Sequence, residues 1–309
     1  MADETEGQAP SFDLEFQPHH GHAVPVAPGV QRLTCNNPSP FTFHGTNSYI
    51  IGPGDTVAVL DPGPEDDAHF EALMRAIGPR RVSHILVSHT HRDHSPLARR
   101  LQAETGALTV AEGPHRASRP LYAGETNPFA ESSDISFVPD IALGDGQSLE
   151  GDGWQITALH TPGHTANHCA FALDGTGILF SADHVMAWAT TIVAPPDGSM
   201  RDFMTSLEKL LMRQDALYLP GHGGPVREPA SFLRGLRTHR RMRERAVLER
   251  IRAGDRLIAE MVKVIYASTD PRLHGAAALS VLAHLEDLIE SGRVETDGPP
   301  RLGGEYRLA

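Results

Sequence analysis

The segment His89-Thr90-His91-Arg92-Asp93-His94 places three imidazoles and a carboxylate within six residues, directly after the apolar run Val82-Ser83-His84-Ile85-Leu86-Val87-Ser88. Val, Ile and Leu in so short a run read as a buried strand. Ser95-Pro96 reads as a helix N-cap followed by proline at the first helical position. The histidines therefore fall on a strand-to-helix loop at the carboxyl end of a strand, where a rigid sheet fixes side chains that the loop leaves accessible. Neutral imidazole suits zinc and a carboxylate adds a harder oxygen donor, so the mixed set can hold more than one ion. A solvated polar loop is the bland alternative, since 18 histidines in 309 residues bring some together by chance. Four donors in six residues behind a buried strand are more than chance supplies.

Further donors stand at the ends of other strands. Trp154-Gln155-Ile156-Thr157-Ala158-Leu159 alternates as a strand does and runs into His160-Thr161-Pro162-Gly163-His164. After the Asp174-Gly175 turn, Gly177-Ile178-Leu179-Phe180 ends at Ser181-Ala182-Asp183-His184, and Ala216-Leu217-Tyr218-Leu219 ends at Pro220-Gly221-His222. Taken singly, His164, Asp183 or His222 is an ordinary loop residue. In this order and on strand ends they form a constellation.

The pattern resembles the metallo-β-lactamase superfamily, whose signature is His-x-His-x-Asp-His followed by a lone His, a lone Asp and a last His. The resemblance covers residues 30 to 225, and it implies an αββα sandwich with the site where the two sheets meet along one edge. It also implies two divalent metal ions per chain: zinc, with manganese or iron as alternatives. Carried over residue by residue, His89, His91 and His164 would hold the first ion, Asp93, His94 and His222 the second, and Asp183 would bridge both. Asp61, closing Val57-Ala58-Val59-Leu60, stands where the family has an aspartate that orients the site without binding metal. Gly45-Thr46-Asn47-Ser48-Tyr49-Ile50, Leu159 to Thr165, Leu219 to Gly223 and an Arg-rich helical tail further resemble the β-lactamase-like-protein-2 subfamily. Mammalian members of it cut single-stranded RNA. His184 departs from the pattern, and reads as a surface histidine or as an added group for proton transfer or substrate binding.

A chain of this length accommodates a main domain with a small appendage. The expected organisation is a partly disordered segment over 1–28, a hydrolase domain over 29–228 and a winged-helix-like unit over 229–309. Met1 to Gln17 is acidic without an apolar stretch, and no run reaches the length of a membrane span, so the expectation is a cytoplasmic protein with no membrane partner. Two cysteines, Cys35 and Cys169, are too few for a disulfide framework. Helices are expected over Pro64 to Ile77, Pro96 to Thr105 and Arg201 to Arg213.

In the tail, Arg234, Arg237, Arg240, Arg241, Arg243 and Arg245 crowd one helix, expected to be solvated and partly paired to Glu244 and Glu249, with Arg240 and Arg241 as candidate substrate-binding or proton-transfer groups. Helices over Arg256 to Ala267 and Gly275 to Ser291 and a hairpin joining Val294 to Asp297 with Glu305 to Leu308 complete the winged-helix order. The last helix carries Glu286, Asp287 and Glu290, where a groove reader needs bases, which argues against duplex DNA. Walling the active-site mouth or meeting a second copy in a homodimer are the roles left to this unit.

Two ions held close together would lower the pKa of a shared water, giving a bridging hydroxide as nucleophile with Asp93 accepting its proton. The sequence thus points to a hydrolase of a small ester, thioester or lactone. Cleavage of single-stranded RNA is the competing activity, and a non-catalytic metal-holding scaffold the third class. Lys plus Arg number 27 against 39 Asp plus Glu, a net charge of −12 that opposes attraction to a polyanion.

Overall fold

The computed structural model describes residues 9–309. The first half contributes seven strands: β1 (Val24–Ala27), β2 (Val30–Thr34), β3 (Asn47–Ile51), β4 (Thr56–Leu60), β5 (Arg81–Leu86), β6 (Leu108–Ala111) and β7 (Ile141–Ala142), with helices α1 (Asp67–Ile77) and α2 (Leu97–Thr105) between them. They form one sheet in chain order, antiparallel from β1 to β4 and parallel from β4 to β7. The second half adds β8 (Ser148–Gly151), β9 (Trp154–His160), β10 (Cys169–Leu173), β11 (Ile178–Ala182), α3 (Met200–Leu211) and β12 (Leu217–Pro220), whose strands lie in the order β12-β11-β10-β9-β8.

Successive side chains of a strand face opposite ways, and here both faces are covered. Tyr49, Ile51, Leu60, Ile156, Phe171 and Phe180 fill the space between the sheets. Ile50, Val59 and Ile85 turn outward onto Leu73 of α1 and Leu101 of α2, and Leu159 and Leu179 turn outward onto Phe203 and Leu207 of α3. That double burial is why β3, β10 and β11 are buried at every position. The result is the αββα sandwich expected from the sequence. At one edge the two sheets are clipped together: the Asn47 side-chain amide donates to the carbonyls of Pro220 (3.0 Å) and Gly223 (2.9 Å), and the Tyr49 hydroxyl donates to Pro220 (2.7 Å).

The tail comprises α4 (Pro229–Arg252), α5 (Ile258–Ile265), α6 (His274–Glu290) and an antiparallel hairpin of β13 (Val294–Thr296) and β14 (Tyr306–Leu308), the order read from the sequence. Leu233 and Leu236 at the start of α4 and Ala283 of α6 belong to the same core as Phe203 and Leu207, whereas Val247, Leu248 and Ile251 build a second core with Met261, Leu285 and Tyr306. Among the described residues no helix is long and apolar enough to cross a membrane.

Local details differ from the expectations. Helix α1 starts at Asp67 rather than Pro64, because the Asp66 carboxylate accepts the His69 N–H at 2.7 Å and so caps the first turn. Ser95 does not cap α2. Its hydroxyl instead donates to Asp134 (3.2 Å), and Pro96 occupies the cap position with no side-chain bond. The segment before Val30 is built in from Ala9 onward: β1 pairs with β2, the Asp13 N–H donates to the Ala187 carbonyl (2.9 Å), and the Arg32 guanidinium lies 4.4 Å over the Phe16 ring.

Candidate metal centre

The loops after β5, β9, β11 and β12 bring seven donors together. His89, His91 and His164 form one group, Asp93, His94 and His222 a second, and His89, His94 and Asp183 a third, each with donor atoms within 4.8 Å of one another. Asp183 lies between the first two groups. Its Oδ2 is 3.7 Å from His164 Nε2 and 3.3 Å from His222 Nε2, and its Oδ1 is 3.5 Å from His94 Nε2. A left-handed corner at Ala182 (φ 43°) aims it, stabilised by the Gly221 N–H donating to the Ala182 carbonyl at 3.0 Å. Non-glycine residues in that region carry strain of ~1–3 kcal/mol and cluster at functional sites.

The outer ring nitrogens decide what the inner ones offer. His164 Nδ1 donates to the Ile192 carbonyl (2.7 Å), His222 Nδ1 to the Gly45 carbonyl (3.2 Å) and His94 Nδ1 to the Asp61 carboxylate (3.0 Å). Carbonyls and carboxylates only accept, so in its neutral form each of these rings keeps a lone pair on its inward Nε2. The Ser88 hydroxyl gives its one proton to Asp61 Oδ2 (2.7 Å), so it accepts from His89 Nδ1 (3.0 Å), and His89 Nε2 is unprotonated as well. His91 Nδ1 then sits 3.0 Å from both the His89 and the His164 Nε2 lone pairs. His94 Nε2, His222 Nε2 and Asp183 Oδ1 are buried without a hydrogen-bond partner. Buried polar atoms without partners are costly, and this convergence of lone pairs is what a cation satisfies. The donor set fits divalent metal ions.

The electrostatics show what charge the cluster calls for. Burial, reinforced by the neighbouring histidines, holds His89 and His91 neutral, the latter down to about 3. Burial opposes charge on His94 and His222 too, but Asp93 and Asp183 outweigh it, lifting His94 well above its ordinary value and His222 to about 9. Burial would likewise raise the two carboxyls, yet His94 and His222 hold both well below the usual carboxylate range. The pair of carboxylates demands positive charge, which protons or metal cations can supply.

Residues 41–222 match the family described as the metallo-beta-lactamase superfamily. The chain belongs to that superfamily. Residues 258–300 match the beta-lactamase associated winged helix domain. A beta-lactamase-like protein 2 homolog of Drosophila melanogaster is 31% identical over 287 residues, spanning 87% of this chain and 93% of the relative. A protein of Paecilomyces divaricatus named atrochrysone carboxyl ACP thioesterase is 25% identical over 277 residues, 84% of this chain and 80% of its own. The crystal structure of a β-lactamase domain protein from Burkholderia ambifaria shares the fold, with a TM-score of 0.79 at 22% identity over 96% of each chain.

Asp61 sits behind the donors rather than among them. It accepts from the Ser88 N–H (2.7 Å), the Ser88 hydroxyl and His94, and so fixes the His94 ring. His168 was overlooked in the sequence. It is buried, accepts the Asp183 N–H on Nε2 (3.2 Å) and donates from Nδ1 to the Thr161 hydroxyl (2.8 Å), so it holds the Asp183 backbone. A histidine directly before the apolar strand β10 was the available signal. A cavity of about 420 Å³ opens over His91, Asp93, His164, Asp183 and His222, with apolar walls of Phe41, Phe129, Met186, Ile192 and Ala194 and with Arg92, Glu131 and Asp197 as further charged residues.

His184 corrects the sequence reading: it is neither on the surface nor at the cavity. A turn (His184 N–H to the Ser181 carbonyl, 3.1 Å) sends the side chain into the core beside Phe203, ring centroids 4.5 Å apart, with both ring nitrogens unpartnered. Arg240 and Arg241 do not line the metal-side cavity either. Buried Arg240 donates to the Thr191 carbonyl and lies 4.8 Å over Phe203, while exposed Arg241 faces Glu208 at 3.7 Å. Part of the arginine row is solvated as expected, with Arg234, Arg241 and Arg245 exposed, but Arg237 also meets Glu208 (3.1 Å), and Glu244 pairs with Arg293 (2.5 Å). Arg237 and Arg241 reach Glu208 because α4 lies against α3. The acids of α6 dock on the main domain as well, Glu286 with Arg119 (2.6 Å) and Asp287 and Glu290 with Arg201 (2.9 and 2.5 Å).

Proposed function

We propose that the chain is a binuclear metal-dependent hydrolase acting on a small ester, thioester or lactone. In this reading His89, His91 and His164 hold one ion, Asp93, His94 and His222 the other, and Asp183 spans both. The observation that carries it is the convergence of unpartnered, buried lone pairs on His94, His222 and Asp183 with those of His89 and His164. Zinc is the ion assigned, since imidazole nitrogens dominate the set, and manganese or iron would accept the same donors.

When bound, two such ions activate water at neutral pH and polarise the acyl oxygen. The protein's own share of the chemistry is positional. Asp93 reaches the cavity floor as a carboxylate and can take a proton or orient the attacking oxygen. Asp61 keeps His94 in one tautomer and His168 keeps Asp183 in place, so the site is organised before substrate arrives. Phe41, Phe129, Met186 and Ile192 offer an apolar seat for an acyl group and exclude water from the reacting centre.

The thioesterase-named relative supports acyl transfer to water. Against RNA as substrate stand the net charge of −12, the acids Glu131 and Asp197 in the cavity, and the engagement of Arg237 with Glu208. Duplex DNA is disfavoured because α6 is docked through its acids. The deciding experiment incubates metal-loaded protein with thioesters, esters, lactones, phosphodiesters and single-stranded RNA, with Asp183→Asn as the blank. Turnover of a thioester or ester that vanishes in the blank is expected; salt-sensitive RNA cleavage without acyl hydrolysis would replace this reading by a nuclease.

A further inference from the structure

A second cavity, of about 370 Å³, lies where the N-terminal segment, the 186–192 loop and the tail meet. It shares Phe41, Met186 and Ile192 with the metal-side cavity as a common wall. Its other walls include the aromatic rings of Phe12, Trp188 and Tyr266 and the imidazole of His239, and Arg240 and Arg243 of α4 supply its charge.

The two arginines are of one sign and lack a counter-charge. Arg240 is 4% exposed, donates to the Thr191 carbonyl, and leaves Nε buried and unpartnered. Arg243 donates to the Ile265 carbonyl (3.0 Å) and lies 4.6 Å over the Tyr266 ring, and its Nε is also orphaned. His239 Nδ1 and, beneath them, His284 Nε2 are buried without partners too. Among the described residues no carboxylate pairs with Arg240 or Arg243. Burial and the arginines push His239 and His284 down, to about 4 and about 3, so the cluster already excludes further positive charge. A buried guanidinium without an anion is unfavourable, and planar guanidinium forks match carboxylate and phosphate.

We propose that Arg240 and Arg243 form an anion subsite beside the metal centre, which takes a carboxylate or phosphate group carried by the substrate. The acyl carbon would lie over Asp93 and Asp183 while the anionic end of the same molecule crosses the shared wall into the second cavity. The small, aromatic-walled cleft suits one anionic head on an apolar body, and the chain's net charge leaves this cluster as a local exception that selects for it. The substrate class therefore narrows to an ester or thioester with a second, anionic end. This step rests on the hydrolase reading, but the subsite can be measured without it.

The test is calorimetric titration of the full metal-loaded chain with glutarate and, separately, with inorganic phosphate. Arg243→Gln, on the half-buried side of the cleft, and Arg240→Gln are titrated alongside, with near-UV circular dichroism to confirm folding. Loss of a charge-assisted hydrogen bond weakens binding by about tenfold or more, so each variant is expected to lose affinity on that scale. Glutarate-selective loss identifies a carboxylate site and phosphate-selective loss a phosphate site. Binding that persists unchanged in folded Arg243→Gln belongs to the metal cluster and overturns the proposal, as does absence of binding to the wild type. A second arm compares glutaryl and butyryl thioesters of N-acetylcysteamine: KM should rise about tenfold in the variants for the glutaryl ester alone. If the wild type hydrolyses neither ester while arginine-dependent anion binding stands, the hydrolase reading fails and the subsite survives.

Discussion

Replacing Gly221 with alanine would test how tightly the donor cluster is packed. Gly221 precedes His222, and its backbone lies outside the left-handed region, so alanine meets no conformational objection. The space is the obstacle. A methyl group there would press on Asp183 Oδ1 and stand 2.8 Å from His94 Cε1, where ordinary contact begins at 3.4 Å. Neither neighbour yields easily, since His168 holds the Asp183 backbone and Asp61 holds the His94 ring. The required retreat exceeds the ~0.5 Å within which a working constellation must be held. Overpacking of this kind costs about 1–3 kcal/mol, less than a typical domain stability of ~5–15 kcal/mol, so the variant is expected to fold. A misplacement approaching 1 Å lowers turnover by about 10²-fold, equivalent to ~2.7 kcal/mol of transition-state stabilisation. The assay combines thermal melting, elemental analysis after gel filtration, and kcat/KM on the best ester or thioester of the panel. Full metal content with kcat/KM within about threefold of wild type would show that the cluster tolerates displacement, and the packing argument would fail.

Asp183→Asn removes a negative charge from between the two donor groups, and metal content should fall from about two ions per chain towards one; unchanged stoichiometry by elemental analysis would place the bridge elsewhere. Buried His284 is held at about 3 in the folded chain, by burial and then by Arg240, against ~6.5 when unfolded. The unfolded chain therefore binds the extra proton between those values, so stability is full above pH 6.5 and falls with acidification by up to ~1.4 kcal/mol per pH unit. Urea unfolding at pH 7 and pH 5 should show this loss, and His284→Gln should lessen it by one proton; an identical slope in the variant would contradict the assignment. Arg119 lies largely buried between Glu286 (2.6 Å) and Glu125 (2.7 Å), so Arg119→Ala should destabilise the protein by about 3 kcal/mol, with part of the loss recovered when Glu286 is also made alanine and the rest remaining with Glu125. Additive losses in that double-mutant cycle would mean the two residues act separately.

The donors were legible because ligand chemistry resides in residue type: three histidines and an aspartate behind an apolar run, then single donors at later strand ends, need no knowledge of packing. The apolar runs made legible the strands buried on both faces, and the sandwich they form followed from the family resemblance that the donors carry. What stayed hidden depends on partners distant in sequence. Ser95 has the residue type of an N-cap but spends its hydroxyl on Asp134, and His168 looks like the start of a strand until Asp183 is seen to donate to it. The arginines of α4 have acids within helical reach at Glu244 and Glu249, and nothing local reveals that Glu208 and Thr191 sit closer. His184 follows a metal-ligand candidate and was weighed for exposure or chemistry; the turn at Ser181 buries it instead.

The way α4 runs through two cores limits how modular this protein can be. Its first turns complete the layer around Phe203 and Leu207, and its last turns found the core of the tail. A chain cut before Pro229 would uncover Leu159, Leu179 and Phe203 as a sticky face, and a tail cut free would carry the lone stripe of Leu233 and Leu236. Exchange of tails between relatives cannot be a simple splice at the connecting loop. A donated tail would have to bring its own α4, match Glu208 on α3, and find Arg119 and Arg201 waiting for its acids, so the two parts inherit change together.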